Sequence, residues 1–195
     1  MKQDNSAWAN RVGLISLAAL ALVLLGSCMS VSGGAATGRA VDADTGQPLA
    51  NAVAYGVWVG TRSTIARSDG VCAWVDSARL DSQGRFLLPS WRRWGAEAST
   101  ISDIRLSVVV YAPGYDLVSL SKDDSLDVRM RRYVGTVDER FRTLNTPFCP
   151  GADADRRLAL VMQMMADEME QLAVTDMQHQ QARSARKQAD EMASR

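Results

Sequence analysis

The sequence has a single histidine, His179, and three cysteines among 195 residues. A histidine-based zinc site or a Ser-His-Asp relay has almost nothing to be built from. Surplus charge is lacking too, since 22 Lys and Arg balance 22 Asp and Glu. A nucleic-acid binder needs a basic footprint to displace counterions from phosphates, so that class is excluded. The apolar run at residues 12–25, interrupted by Gly13 and Ser16, is short of the ~20 residues that a spanning helix requires. Hydrophobic residues still make up 47% of the chain, which excludes wholesale disorder. The length suits one ordinary domain with additions.

The first addition is an address. Lys2 and Arg11 precede the apolar run and small residues follow it, the order of a secretory signal peptide. An ordinary cleaved signal would need nothing more. The next residues, Leu25-Gly26-Ser27-Cys28, resemble the lipobox of bacterial lipoproteins. The resemblance implies removal of residues 1–27 and a diacylglyceryl group on the Cys28 thiol. It also implies Cys28 as the first mature residue. Met29 rather than aspartate after that cysteine implies the outer membrane, facing the periplasm. Several acyl chains, at about 0.8 kcal/mol per buried CH₂, anchor a protein without a spanning helix. Loss of Lys2, Asp4 and Arg11 leaves a net charge of about −1, too little for electrostatic steering.

Two cysteines then remain, Cys72 and Cys149. An exported chain meets an oxidising space in which a disulfide persists. The long loop between them makes such a bond worth on the order of 4 kcal/mol at most. Two buried free thiols are the other reading.

Residues 28–37 are small and Gly-rich and read as a flexible tether. From Gly38 the texture changes to short alternating runs broken by turn signals, the mark of an all-β domain. Strands are expected at 38–42, 52–59, 71–80, 85–88, 104–111, 115–120 and 125–133. Residues 61–70 and 91–103 read as loops. Phe86, Val108, Val110, Tyr115 and Val53 are candidate inner-face residues. About seven strands without intervening helices point to a sandwich.

Three motifs carry a further resemblance. They are Gly38-Arg39-Ala40-Val41-Asp42 with Asp44-Thr45-Gly46 and Pro48-Leu49, then Asp81-Ser82-Gln83-Gly84-Arg85-Phe86, then Ala112-Pro113-Gly114-Tyr115. In this order over residues 38–133 they resemble carboxypeptidase regulatory-like domains. The resemblance implies a mainly β, Greek-key, prealbumin-like β-sandwich over residues 38–134. It extends to a lipoprotein subset with paired cysteines and a helical tail. That family is named for an accessory module beside a zinc peptidase. This chain has no peptidase domain, and one histidine cannot rebuild the metal site.

Residues 135–195 read as a helical C-terminal extension. A short helix is expected at 137–144. Leu158, Val161, Met165, Met169 and Leu172 form a stripe at helical spacing, wide enough to bury one face. Beyond Ala173 the chain is polar and reads as an exposed or frayed helix.

Few residues suggest chemistry. Ser119 and Lys122 match Ser-x-x-Lys, but on a strand rather than a helix and without a Lys-Thr-Gly partner. The stretch from Asp42 to Gly46 superficially matches a calcium loop, but Gly46 and Val53 fill positions that need ligands. Asp123, Asp124 and Asp127 read as a solvated loop. Met162, Met164, Met165, Met169 and Met177 with His179 offer soft ligands, yet core packing accounts for the stripe. Trp91-Arg92-Arg93-Trp94 is the strongest candidate for ligand binding. Aromatic faces beside guanidinium donors suit a glycan or an anionic group. A sandwich-capping tryptophan with solvated arginines explains the same residues. The expectation is a non-catalytic envelope lipoprotein without cofactor. It is attached to the membrane through Cys28 and open to a protein partner through its C-terminal helix. A module binding glycan or peptidoglycan fragments is the alternative.

Overall fold

The alternating texture does become strands, and the computed structural model describes them over residues 30–63, 67–121, 125–144, 149 and 152–195. In chain order they are β1 (Ser30–Gly33), β2 (Ala36–Asp42), β3 (Val53–Ser63), β4 (Ser68–Arg79), β5 (Arg85–Leu88), β6 (Trp91–Trp94), β7 (Ile101–Tyr111), β8 (Val118–Ser121) and β9 (Asp127–Met130). Three helices follow: α1 (Val137–Thr143), α2 (Ala152–Leu172) and α3 (Asp176–Ser194). The protein is therefore mainly β with a helical C-terminal part. Among the described residues no helix is long and apolar enough to cross a membrane.

The strands form three open sheets. One is β4-β3-β7-β8, antiparallel throughout. The second is β5-β2-β9, in which β2 runs antiparallel to β5 and parallel to β9. The third is the β1–β6 pair. Seven of these strands fall where alternation places them. The other two correct the sequence reading. Residues 30–33 belong not to a tether but to β1, paired antiparallel with β6, which itself lies in the expected loop. The expected loop at 61–70 is likewise mostly strand, since β3 runs to Ser63 and β4 starts at Ser68.

The local reason for β1 is a close approach. A Cβ on Gly33 would lie 2.6 Å from the Trp58 ring and collide with Trp91 Nε1. Glycine lets the strand lie flat against two tryptophans, which a bulkier residue would push away.

The β4-β3-β7-β8 sheet is buried on both faces. Successive side chains of a strand point to opposite sides. Ala54, Trp58, Leu106, Val108 and Val110 meet Ala40, Phe86, Leu88, Val128 and Met130 of the β5-β2-β9 sheet in one core. Val53, Tyr55, Val75 and Tyr111 face α2 in another core, which α3 completes from the far side of α2. This corrects the placing of Val53 with Phe86, Val108 and Val110, because Val53 faces the helices. Strands covered on both sides read as nearly continuous apolar runs, as residues 52–59 do.

The stripe on α2 is placed as its spacing predicts, with Leu158, Val161, Met165 and Met169 buried and Leu172 half-buried. Met162 and Met164 are buried as well, because α2 lies between the sheet and α3. The helix beyond Ala173 is not frayed. α3 begins with a capping box of Thr175 and Gln178 and buries Ala182, Ala189 and Met192 against the helical core. Arg186 grips Glu170 with bonds of 3.0 and 2.9 Å and also reaches Asp167. Arg195 holds Asp155 at 2.7 Å near the other end of α2. The Cys72–Cys149 disulfide, with Cα atoms 5.5 Å apart, ties the chain just before α2 to edge strand β4.

Candidate functional site

The four residues of β6 divide by strand alternation. Trp91 points inward, only 6% exposed. Its ring stacks on Trp74 at 5.3 Å and meets Trp58 edge-on at 6.1 Å. Trp74 in turn carries the Arg157 guanidinium 4.0 Å above its ring, and Arg157 pairs with Asp76 at 3.1 Å. Arg93 donates from Nη1 to the Ala73 carbonyl oxygen at 3.0 Å. Arg92 and Trp94 point outward together, with the guanidinium 5.4 Å from the indole centroid. Trp94 is 62% exposed. The motif thus supplies one core residue, one strand-to-strand clamp and one solvent-facing cation–aromatic pair.

The three resemblance motifs meet as turns. Asp42 closes the first: Oδ1 accepts from the backbone N–H groups of Asp44 and Thr45 at 2.9 and 2.8 Å. Its Oδ2 accepts from the Tyr115 hydroxyl at 2.7 Å, which joins the first turn to the third. These donors, the Thr45 N–H foremost and then the Tyr115 hydroxyl, hold the Asp42 carboxyl down at about 2. The same bond raises the Tyr115 hydroxyl above its usual value. Asp81 closes the second turn by accepting from Gln83 and Arg85 N–H groups at 2.8 and 2.9 Å. Gly84 there has φ +73° and gives its carbonyl oxygen to Ala40 N–H at 2.8 Å. Asp42 engages its oxygens in the fold, which suits the turn reading of that loop.

One cluster was not singled out in the sequence reading. Arg140 of α1 and Glu168 of α2 form a bidentate pair at 2.9 Å for both bonds, with side chains only 1% and 5% exposed. Glu168 also accepts from the Tyr111 hydroxyl at 2.7 Å and from Gly114 N–H at 2.9 Å. The Arg140 guanidinium lies 5.0 Å from the Tyr133 ring and 5.9 Å from the Tyr111 ring. Burial first, and the Glu168 carboxylate second, push the Tyr111 hydroxyl far above the usual tyrosine range. Both Glu168 oxygens carry two donors each, so the cluster locks α1, α2 and the Gly114 corner together. The signal in sequence was faint: Glu168 lies beside the apolar stripe of α2, and Arg140 sits in a helix of seven residues.

The remaining candidates are dispersed. Ser119 is exposed on β8, 3.4 Å from the Ser107 hydroxyl. Met162, Met164, Met165 and Met169 line the helical core, whereas Met177 and His179 are exposed on α3. Residues 1–27, Cys28, Lys122, Asp123 and Asp124 lie outside the described residues. A groove of about 690 Å³ runs between α1 and the start of α3, lined by Phe141, Met169, Met177, Arg142, Asp138 and Gln178.

No family model and no curated protein matches this sequence. Among solved structures the chain is similar to a 9R-lipoxygenase from Cyanothece PCC8801, with 16% identity and a TM-score of 0.27. The match covers 71% of this chain and 24% of that one, and so faint a likeness carries no argument about fold or activity.

Proposed function

We propose that the protein is a non-catalytic envelope lipoprotein, anchored through Cys28, whose domain is a structural or protein-interaction module. The observation that carries this reading is the Cys72–Cys149 disulfide. Such bonds persist in exported proteins and are rare where thiols are kept reduced. It agrees with the signal-like first residues and with the lipobox resemblance at Cys28. The finer fold belongs to the same proposal: a Greek-key, prealbumin-like β-sandwich of the carboxypeptidase regulatory-like kind. Its support is that the three motif turns converge, with Asp42 bonded to Tyr115 and Gly84 bonded to Ala40. A non-catalytic role is supported by the polar interior. Asp42 and Glu168 have their carboxylate oxygens occupied by donors of the fold itself. The protein partner is assigned to the outer side of α3 and the adjoining groove, where Met177 is exposed.

Intact-mass spectrometry of protein extracted from membranes tests the anchor. The expected chain starts at Cys28 and carries acyl groups. A chain starting elsewhere, or an unmodified Cys28, overturns the reading. Crosslinking in intact cells from positions on α3 tests the partner, and one protein joined there is the expected result.

A further inference from the structure

The outer side of β6 pairs an exposed indole with an exposed guanidinium, and its position in the fold is informative. β6 is paired with β1, and Trp94 stands opposite Ser30 in the register. Cys28 is only two residues before Ser30. Two extended residues reach ~7 Å. Neighbouring strands are ~5 Å apart. A free ten-residue tether would have reached ~35 Å, so the pairing of β1 shortens the leash about fivefold. The headgroup layer on each side of a bilayer is itself roughly 5–8 Å deep. An acyl group on Cys28 therefore holds Trp94 within or directly above that layer.

The residues there suit it chemically. An indole is apolar in body with one polar N–H, and such rings settle at the headgroup level. A guanidinium binds phosphate through two parallel N–H bonds. β6 carries Arg92 and Arg93 and no carboxylate, with Glu97 the nearest acid along the chain. We infer that Arg92 and Trp94 are a seating patch that lays the β1–β6 edge of the domain on an anionic lipid surface. This inference rests on the anchoring proposed above at Cys28. The patch fixes the orientation of the domain at the membrane.

The test uses the mature lipidated protein in vesicles of phosphatidylethanolamine and phosphatidylglycerol with brominated acyl chains. Bromine quenches an indole that reaches the headgroup–acyl boundary. The expected result is a quenched fraction in the wild type that disappears in Trp94→Phe, while near-ultraviolet dichroism of the Trp74–Trp91 stack stays unchanged. Arg92→Gln is expected to shift the seated population about fivefold towards the lifted one in anionic vesicles. Equal quenching in the wild type and Trp94→Phe overturns the inference. So does a Trp94 emission shift caused by soluble peptidoglycan fragments and not by vesicles. The mass of Cys28 is read on the same sample. If it is unmodified, the anchor reading fails, and the unmodified chain is put on the same vesicles. There, quenching of Trp94 upholds the seating patch and its lack overturns it.

Discussion

The two faces of the β4-β3-β7-β8 sheet are covered in different ways. Against β5-β2-β9 the interior is apolar, made of Ala40, Ala54, Trp58, Leu88, Val108 and Met130. Its polar work is done at the rim by turns, where Asp42 and Asp81 bond backbone groups two to four residues ahead. Against the helices the interior contains a buried ion pair, and its ties span long stretches of chain. Arg140 reaches Glu168 across 28 positions, Tyr111 reaches it across 57, and Cys72 reaches Cys149 across 77. The sheet face combines local turn bonds with the long tie from Tyr115 to Asp42, whereas the ties named on the helical face all join distant segments. A buried charge is costly unless paired, so the helical face tolerates the loss of a partner poorly. On the sheet face the buried Asp42 carboxylate shares several donors, so loss of one should cost less, and apolar truncations there should lose stability in proportion to volume removed.

The largest effect should come from breaking that contrast at its charged end. Glu168→Ala leaves Arg140 buried without its counter-charge and also strips acceptors from Tyr111 and Gly114. A loss of about 4 kcal/mol is expected from urea unfolding. Replacing both partners, as Arg140→Met with Glu168→Leu, should restore most of it. If the double variant is no better than the single one, the ion pair contributes more than relief from an unpaired charge.

The disulfide sharpens the comparison next. Cys72→Ala with Cys149→Ala should lower stability on the order of 3 kcal/mol. The more telling readout is amide exchange. Protection should fall first in α2 and α3, while β2 and β5 keep theirs. Equal loss across both layers would mean that the helices and sheets form one cooperative unit.

On the sheet face, Gly84→Ala forces a side chain into a left-handed backbone conformation and against the Ala40 carbonyl oxygen. A cost of about 2 kcal/mol is expected in the same unfolding assay. The Arg140–Glu168 pair should be untouched, so amide protection of α2 should be unchanged by this substitution.

The smallest effect is in pH. Asp42 titrates at about 2 in the fold against an ordinary 3.8. Its folded value is the lower one, so its contribution is complete above the ordinary value and is lost as pH falls towards the folded one. Tyr115→Phe removes one of the donors that hold the carboxyl down, so the Asp42 carboxyl carbon should titrate at higher pH by NMR. An unchanged titration would show that the backbone donors alone set it.

Much of the sheet architecture was legible in the sequence because alternation and turn residues are local signals. Asp81-Ser82-Gln83-Gly84 announces its own turn, and Leu106, Val108 and Val110 announce their face. β1 was not legible, because a strand of Ser, Val and Gly has little propensity and forms by pairing with β6 beneath two tryptophans. α3 was misread because its buried side is Gln178, Ala182, Ala189 and Met192, in which a polar residue and two weakly apolar alanines leave no apolar stripe. In the candidate site, the residue types of Trp91–Trp94 were legible, but their division into a buried half and an exposed half was not. That division follows from strand alternation, which a loop reading hides.

What the sequence determined by itself was the mainly β character, the stripe of α2 and a supply of three cysteines. Each depends on neighbours within a turn or a strand, or on a count. The tertiary structure alone decided that Val53 and Ala54 face different cores, that Arg140 meets Glu168, and that Trp94 stands beside Ser30. Those outcomes depend on which distant segments become neighbours, and burial acts on that proximity rather than on order along the chain.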